Sequence, residues 1–187
     1  MKHEIEEMLN RLVTFKDAGR TARWHTMPHA TPESVGEHSW NLATSMRLVW
    51  PDAPDWIIIE ALYHDVGEAQ VGDLPWPVKA NNPTLMREFE TLELEARKRL
   101  GAPPPPSPEK YDLEWDRWMG RMKSLDFVLA LMHMMIDGNP QEVRQSYGGW
   151  SESRGLDVAS REIADAIYNR AIDMTLPAAR RRFTDVK

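Results

Sequence analysis

At 187 residues and 42% hydrophobic content, the chain is long enough for one domain with a real core, and residues 1–187 read as a single domain. It contains no cysteine, which excludes a disulfide framework, a thiolate nucleophile and a thiolate metal site, so any metal must rest on His, Asp and Glu. The formal net charge of −6 argues against a general binder of polymeric nucleic acid, which needs a basic stripe, but leaves room for an anionic small molecule wherever basic residues gather.

Met1 leads directly into Lys2-His3-Glu4-Ile5-Glu6-Glu7, with no charged-then-apolar leader. The longest apolar run, Phe127 to Met132, is too short to span a bilayer, so a cytoplasmic protein without a membrane partner is expected. From about Glu4 to Ala18, Ile5, Met8, Leu9, Leu12 and Val13 recur at helical spacing, which predicts a packing helix that stops at Gly19. The connection from Arg20 to His29 carries Arg23, Trp24, His25 and His29, unusual content for a mere linker. Thr31-Pro32 predicts the next helix start, with a capping hydroxyl and proline at the first helical position.

On that helix His38, Leu42, Met46 and Val49 form one stripe, so His38 points inward; alone, it would read as a core histidine bonded to a carbonyl. Pro51 and Pro54 break the chain before a helix that begins near Asp55 and runs into His64-Asp65-Val66-Gly67-Glu68. At 100° per residue His64, Asp65 and Glu68 fall within roughly a 100° arc, beside Ile58, Ile59, Leu62 and Val66. A carboxylate beside that much apolar surface needs a partner, and a divalent cation is the economical one. The competing reading is a solvated His-Asp pair at a helix edge.

After the Gly72-Asp73-Leu74-Pro75 turn, a helix from about Pro83 to Leu100 carries many charges, read as a solvated face. The proline-rich stretch from Gly101 to Pro108 predicts a stiff extended connector and not a domain boundary. A further helix from about Glu109 to Asp137 has Leu125, Val128, Leu129, Met132 and Ile136 as its core stripe, with Asp126 set among apolar residues; Met132-His133-Met134-Met135 reads as core filler or a subunit contact. The last amphipathic helix, from about Val158 to Met174, carries Ile163, Ala166, Ile167, Ala171 and Met174 and is followed by Arg180-Arg181-Arg182. With no alternating strands and no repeat, the fold class is all-α.

His38, His64-Asp65 and Asp126 together make an H…HD…D set with its members on different helices. With Arg23-Trp24, Ser34-Val35-Gly36-Glu37-His38-Ser39, His64-Asp65-Val66-Gly67-Glu68 and Gly72-Asp73-Leu74-Pro75 followed by Lys79, the chain resembles the HD-domain metal-dependent phosphohydrolases from about Arg20 to Asp126. The resemblance is nearest to the deoxynucleotide hydrolases, which include bacterial 5′-deoxynucleotidases and phage dATP triphosphohydrolases. The Arg-Trp-His-Thr form at residues 23–26 is more like the phage proteins.

The resemblance implies an HD-domain bundle of about six to eight helices in which His38, His64, Asp65 and Asp126 bind one divalent ion (Mn, Co, Zn or Mg), with room for a second. It implies Glu68 as the residue that orients or deprotonates water, and Asp73 as acceptor of the sugar 3′-hydroxyl and excluder of a 2′-hydroxyl. Arg23 and Lys79 would meet phosphates and Trp24 the base, against plain readings as a surface lysine and a core aromatic. His25 and His29 would hold a leaving group or a second ion, against a reading as solvated loop histidines. Glu37 is a candidate to orient the His38 imidazole. The lead expectation is a deoxynucleoside triphosphohydrolase favouring dATP, in the host cytoplasm if phage-encoded. The alternative is a 5′-deoxynucleotidase on monophosphates. A nucleotide-sensing module with a vestigial site ranks low, because no ligand and no Glu68 is missing. Self-association as a homo-oligomer is expected.

Overall fold

The computed structural model describes residues 2–23, 32–138 and 158–173. In chain order its helices are α1 (Lys2–Ala18), α2 (Val35–Val49), α3 (Asp55–Tyr63), α4 (Glu68–Val71), α5 (Trp76–Asn81), α6 (Pro83–Arg99), α7 (Pro108–Ile136) and α8 (Val158–Asp173). The described residues contain no strand, only an isolated antiparallel bridge between Ala22 and Ser34, so the all-α expectation holds.

α2 starts later than Thr31-Pro32 suggested, and Thr31 lies outside the described residues. Ser34 is the cap: its hydroxyl accepts from the Glu37 amide, while the Glu37 carboxylate accepts from the Ser34 amide at 2.9 Å. This reciprocal pairing satisfies two amides that the first turn would otherwise strand. Just before it, residues 21–23 run antiparallel to residues 33–35: the Arg23 amide donates to Glu33 and the Val35 amide to Thr21, both at 2.8 Å. Gly36 makes the junction with α1 close, since a Cβ there would stand 2.9 Å from the Gly19 carbonyl oxygen, whose lone pair the Gly36 amide uses.

The main core lies between α2, α3, α7 and α8, with Leu42, Met46, Ile57, Phe127 and Leu131 almost wholly buried. His38 lies inside with Leu42 and Met46, as their stripe predicts, and Met134 and Met135 are core filler. On α8 the inward residues are Ala164 and Ile167, and Ala166 faces out. A smaller cluster of Ala18, Val66 and Leu100, flanked by Phe15 and Tyr63, joins α1 and the chain after α3 to the end of α6.

Two expectations fail here. The α6 charges are not all solvated: Arg97 is buried and clamps buried Glu60 of α3 with two parallel bonds of 2.8 Å, while its Nε donates to the Pro103 carbonyl at 2.7 Å. Such bidentate pairing satisfies both ions away from water. The α1 stripe, in contrast, is not packed against the described residues: Ile5, Met8, Leu9, Leu12 and Val13 are 48–61% exposed.

Arg97→Met should destabilise the protein by about 3–5 kcal/mol, because it leaves Glu60 charged and unpaired in the interior. Urea unfolding followed by circular dichroism would measure this, and the double variant Glu60→Leu/Arg97→Met should regain most of the loss.

Candidate active site

Three elements bring the H…HD…D set together. α2 places His38 four residues beyond its cap, 1% exposed. α3 ends at Tyr63, and the next residues do not continue as an α-helix. Bonds from Val66 to Tyr63, Glu68 to Asp65 and Gln70 to Gly67 wind residues 64–67 more tightly, as a 3₁₀ turn does, before the single turn of α4. Gly67 is the reason this turn can dock: a Cβ would come within 2.3 Å of the Glu93 carbonyl oxygen, so backbone meets backbone there. α7 supplies Asp126, flanked by buried Leu125 and Phe127.

The donor atoms converge. One ligand atom from each of His38, His64 and Asp65 lies within 4.8 Å of the others. Asp65 Oδ2 is 3.2 Å from His64 Nε2 and 3.6 Å from His38 Nε2, and Asp126 Oδ1 is 3.0 Å from His38 Nε2. Yet neither Nε2 has a hydrogen-bond partner of acceptable geometry, and both are buried. His64 Nδ1 lies 2.9 Å from the Ala61 carbonyl, a contact that in the neutral ring puts the proton on Nδ1 and the lone pair on Nε2; His38 Nδ1 faces Glu33 Oε2 at 3.7 Å. Imidazoles oriented from behind, with carboxylate oxygens flanking their outer nitrogens, are arranged as donors around a shared cation.

Charge points the same way. Burial disfavours ionised Asp65, but His64, Arg23 and His38 overcome it and hold the carboxyl well below its ordinary range. Burial also disfavours a charged His64, and Asp65 and Asp126 overcome it, raising the imidazole to about 9. Asp126 is likewise held low against burial, by His38 and His64. Glu68 goes the other way: burial first, then the Asp65 charge, pushes it up to about 10 despite Arg23. Its Oε2 is buried without a hydrogen bond. Two imidazoles, two low carboxylates and a frustrated third are a donor set that a divalent cation fits.

Arg23 is held against these acids, paired with Asp65 and 3.8 Å from Glu68 and 3.7 Å from Glu33. Burial works against its charge, but Asp65 and Glu68 raise its pKa further. Lys79 is not a surface lysine: it is 23% exposed, 3.7 Å from Glu93, with the Phe89 ring centroid 5.5 Å away. Asp73 follows Gly72, whose φ of +81° turns the chain after α4. Glu37 is not the residue against His38; its Ser34 bonds pull its pKa down and commit it to the cap, and Glu33 takes that place. Trp24, His25 and His29 lie outside the described residues.

Glu33 and Glu93 were missed from sequence. Glu33 looked like part of a helix start, and no spacing marks it. Glu93 carried a faint signal, since it shares a face with Ala96 and Arg97, the two α6 residues that are buried.

The 5′-deoxynucleotidase YfbR-like family profile matches residues 12–126, a span that includes every proposed site residue. The chain is 36% identical over 87 residues to a 5′-deoxynucleotidase of Vibrio parahaemolyticus, which is 42% of this chain and 45% of that protein. It is 32% identical over the same length to a 5′-deoxynucleotidase of Vibrio cholerae, with the same coverage. The chain thus spans about half the length of the curated relatives it matches. Its fold is similar to that of the cyanophage S-2L HD phosphohydrolase DatZ, bound in that structure to dA and one catalytic Zn²⁺. The TM-score is 0.57 at 20% identity, over 87% of this chain and 96% of the other.

A divalent ion that binds this set should raise the thermal midpoint, by a stabilisation of about 2.7 kcal/mol at a hundred times its dissociation constant. The shift should appear with Mn²⁺ or Co²⁺, vanish with EDTA, and be lost in His64→Ala and Asp126→Ala when followed by scanning fluorimetry. An undiminished shift in both variants would place the ion elsewhere.

Proposed function

The chain belongs to the 5′-deoxynucleotidase YfbR-like family, and on that premise we propose that it hydrolyses deoxynucleoside 5′-monophosphates to deoxynucleoside and phosphate. The observation that carries the proposal is the convergence of His38, His64, Asp65 and Asp126 beside a buried Glu68, all inside the matched span. His38, His64, Asp65 and Asp126 would hold one divalent ion. Such an ion, when bound, supplies Lewis acidity to a phosphate oxygen and lowers the pKa of water.

The rest is the work of side chains. Glu68, adjacent to the ligand turn, orients the attacking water and, ionised once a bound cation offsets the burial and the Asp65 charge that hold it neutral, takes its proton as the new P–O bond forms. The P–O5′ bond breaks, and the departing oxygen takes up a proton to become the 5′-hydroxyl. Arg23, aligned along Asp65, Glu68 and Glu33, offers N–H donors to a phosphate beside them. Asp73 accepts from the 3′-hydroxyl and leaves no space for a 2′-hydroxyl. Trp24 and His25 remain assigned to the base and to phosphate by resemblance.

The monophosphate reading stands ahead of the triphosphohydrolase expected first. The family match and the Vibrio relatives carry 5′-deoxynucleotidase names, whereas the phage neighbour contributes a fold, and its dA and Zn²⁺ agree with either reaction. The exposed α1 stripe supports self-association. No helix among the described residues is long and apolar enough to cross a membrane.

The four dNMPs, four NMPs and four dNTPs should be offered with Mn²⁺ or Co²⁺, and products resolved by chromatography and phosphate assay. Orthophosphate and deoxynucleoside in equal amounts from dNMPs is the expected outcome; intact triphosphate released from dNTPs would restore the other reaction. Glu68→Gln should lower kcat by about 10²–10⁴-fold while bound metal is unchanged.

A further inference from the structure

α6 gives no residue to the metal set, yet its middle turn lies against the site. The Gly67–Glu93 contact joins the α6 backbone to the ligand turn, and from there the Glu93 side chain reaches Lys79 of α5, 3.7 Å away. Both partners are mostly covered, 23% and 22% exposed, so the pair is only partly screened by water. Burial pushes Glu93 up to about 7, with Lys79 opposing and Asp65 and Asp73 adding to it, which puts the carboxyl within electrostatic reach of the site's acids. Lys79 is in turn felt at Glu68.

Among the described residues the two cations proposed for phosphate are therefore both opposed by acids. Arg23 faces Asp65, Glu68 and Glu33, and Lys79 faces Glu93. With a divalent ion held by the donor set, a site whose side-chain cations are already opposed suits a dianion. Each further phosphate adds negative charge that the balance does not cover.

We propose that Glu93 is a specificity residue: by pairing with Lys79 it withholds one positive charge from the pocket and so disfavours di- and triphosphates relative to monophosphates. The inference rests on the deoxynucleotide reading above. Glu93 touches no reacting atom and acts through Lys79, and it explains why a lysine near a phosphate pocket is kept beside a carboxylate of its own.

The test compares wild type, Glu93→Gln, Lys79→Ala and the double variant in dAMP hydrolysis, with dADP and dATP as competitors at fixed free Mn²⁺. Glutamine keeps the side-chain size and the Gly67 backbone contact, and a circular dichroism melt checks each fold. The quantity read is the ratio of dATP inhibition constant to dAMP KM, which a merely structural role would not move. Freeing the Lys79 charge should lower that ratio about tenfold in Glu93→Gln. In the Lys79→Ala background the same change should have no effect. A shift under threefold, a shift the other way, or a full shift without Lys79 overturns the proposal. If wild type does not turn over dAMP, the monophosphatase reading falls by itself, and the ratio is then read by calorimetric titration of dAMP and dATP, with the same thresholds.

Discussion

Asp65 stands between two imidazoles, a guanidinium and Glu68, and much of the surrounding architecture follows from the need to keep it ionised while buried. A carboxylate in that position is tolerated only among positive charge, because an uncompensated buried ion costs several kcal/mol, on the order of 3–5. His64 gives the largest part of that charge and Arg23 the next, and the arrangement still leaves Glu68 pushed toward its neutral form. The site thus carries more carboxylates than its side-chain cations can satisfy. That surplus is what a divalent cation would relieve.

Holding such charges together requires rigid backbone around them. The Arg23 amide and the Glu33 carbonyl are bonded across the short antiparallel pairing before α2, so the guanidinium paired with Asp65 is tied to the same segment that aims His38. The capping box at Ser34 fixes the first turn from which His38 projects. On the other side, Gly67 lets the ligand turn rest on the α6 backbone, and the Glu60–Arg97 clamp holds α6 on α3. The clamp is a long way from chemistry in role.

Much of this was legible in the residues. The all-α class, the inward His38 stripe, the Asp126 position among apolar neighbours and the closeness of Glu68 to the metal set all follow from periodicity and spacing. What was not legible has a common cause, which is that it depends on contacts between distant segments. Arg97 looks like one basic residue among many until Glu60, 37 residues away, is folded against it. Glu37 looked like a partner for His38 because it is adjacent, but adjacency on a helix points two side chains about 100° apart, and the Ser34 cap claimed it. The α1 stripe reads as a packing face but is exposed, because periodicity says which face is apolar, not what covers it.

The turn after α3 shows why a motif can outlast an incorrect picture of its geometry. An uninterrupted helix would also have put His64, Asp65 and Glu68 on one side, so the expected grouping was right although the α-helix stops at Tyr63. The tighter winding adds what the helix could not: it brings the chain at Gly67 close enough for the Glu93 carbonyl to occupy the space of a side chain. A residue larger than glycine there would push α6 outward, and with it the carboxylate that holds Lys79. Gly67, between the His64-Asp65 pair and Glu68, therefore links the H…HD…D cluster to the Glu93–Lys79 pair. Its lack of a side chain is a geometric requirement of α6 docking and not a loop flexibility, since the turn itself has ordinary right-handed backbone angles at Gly67.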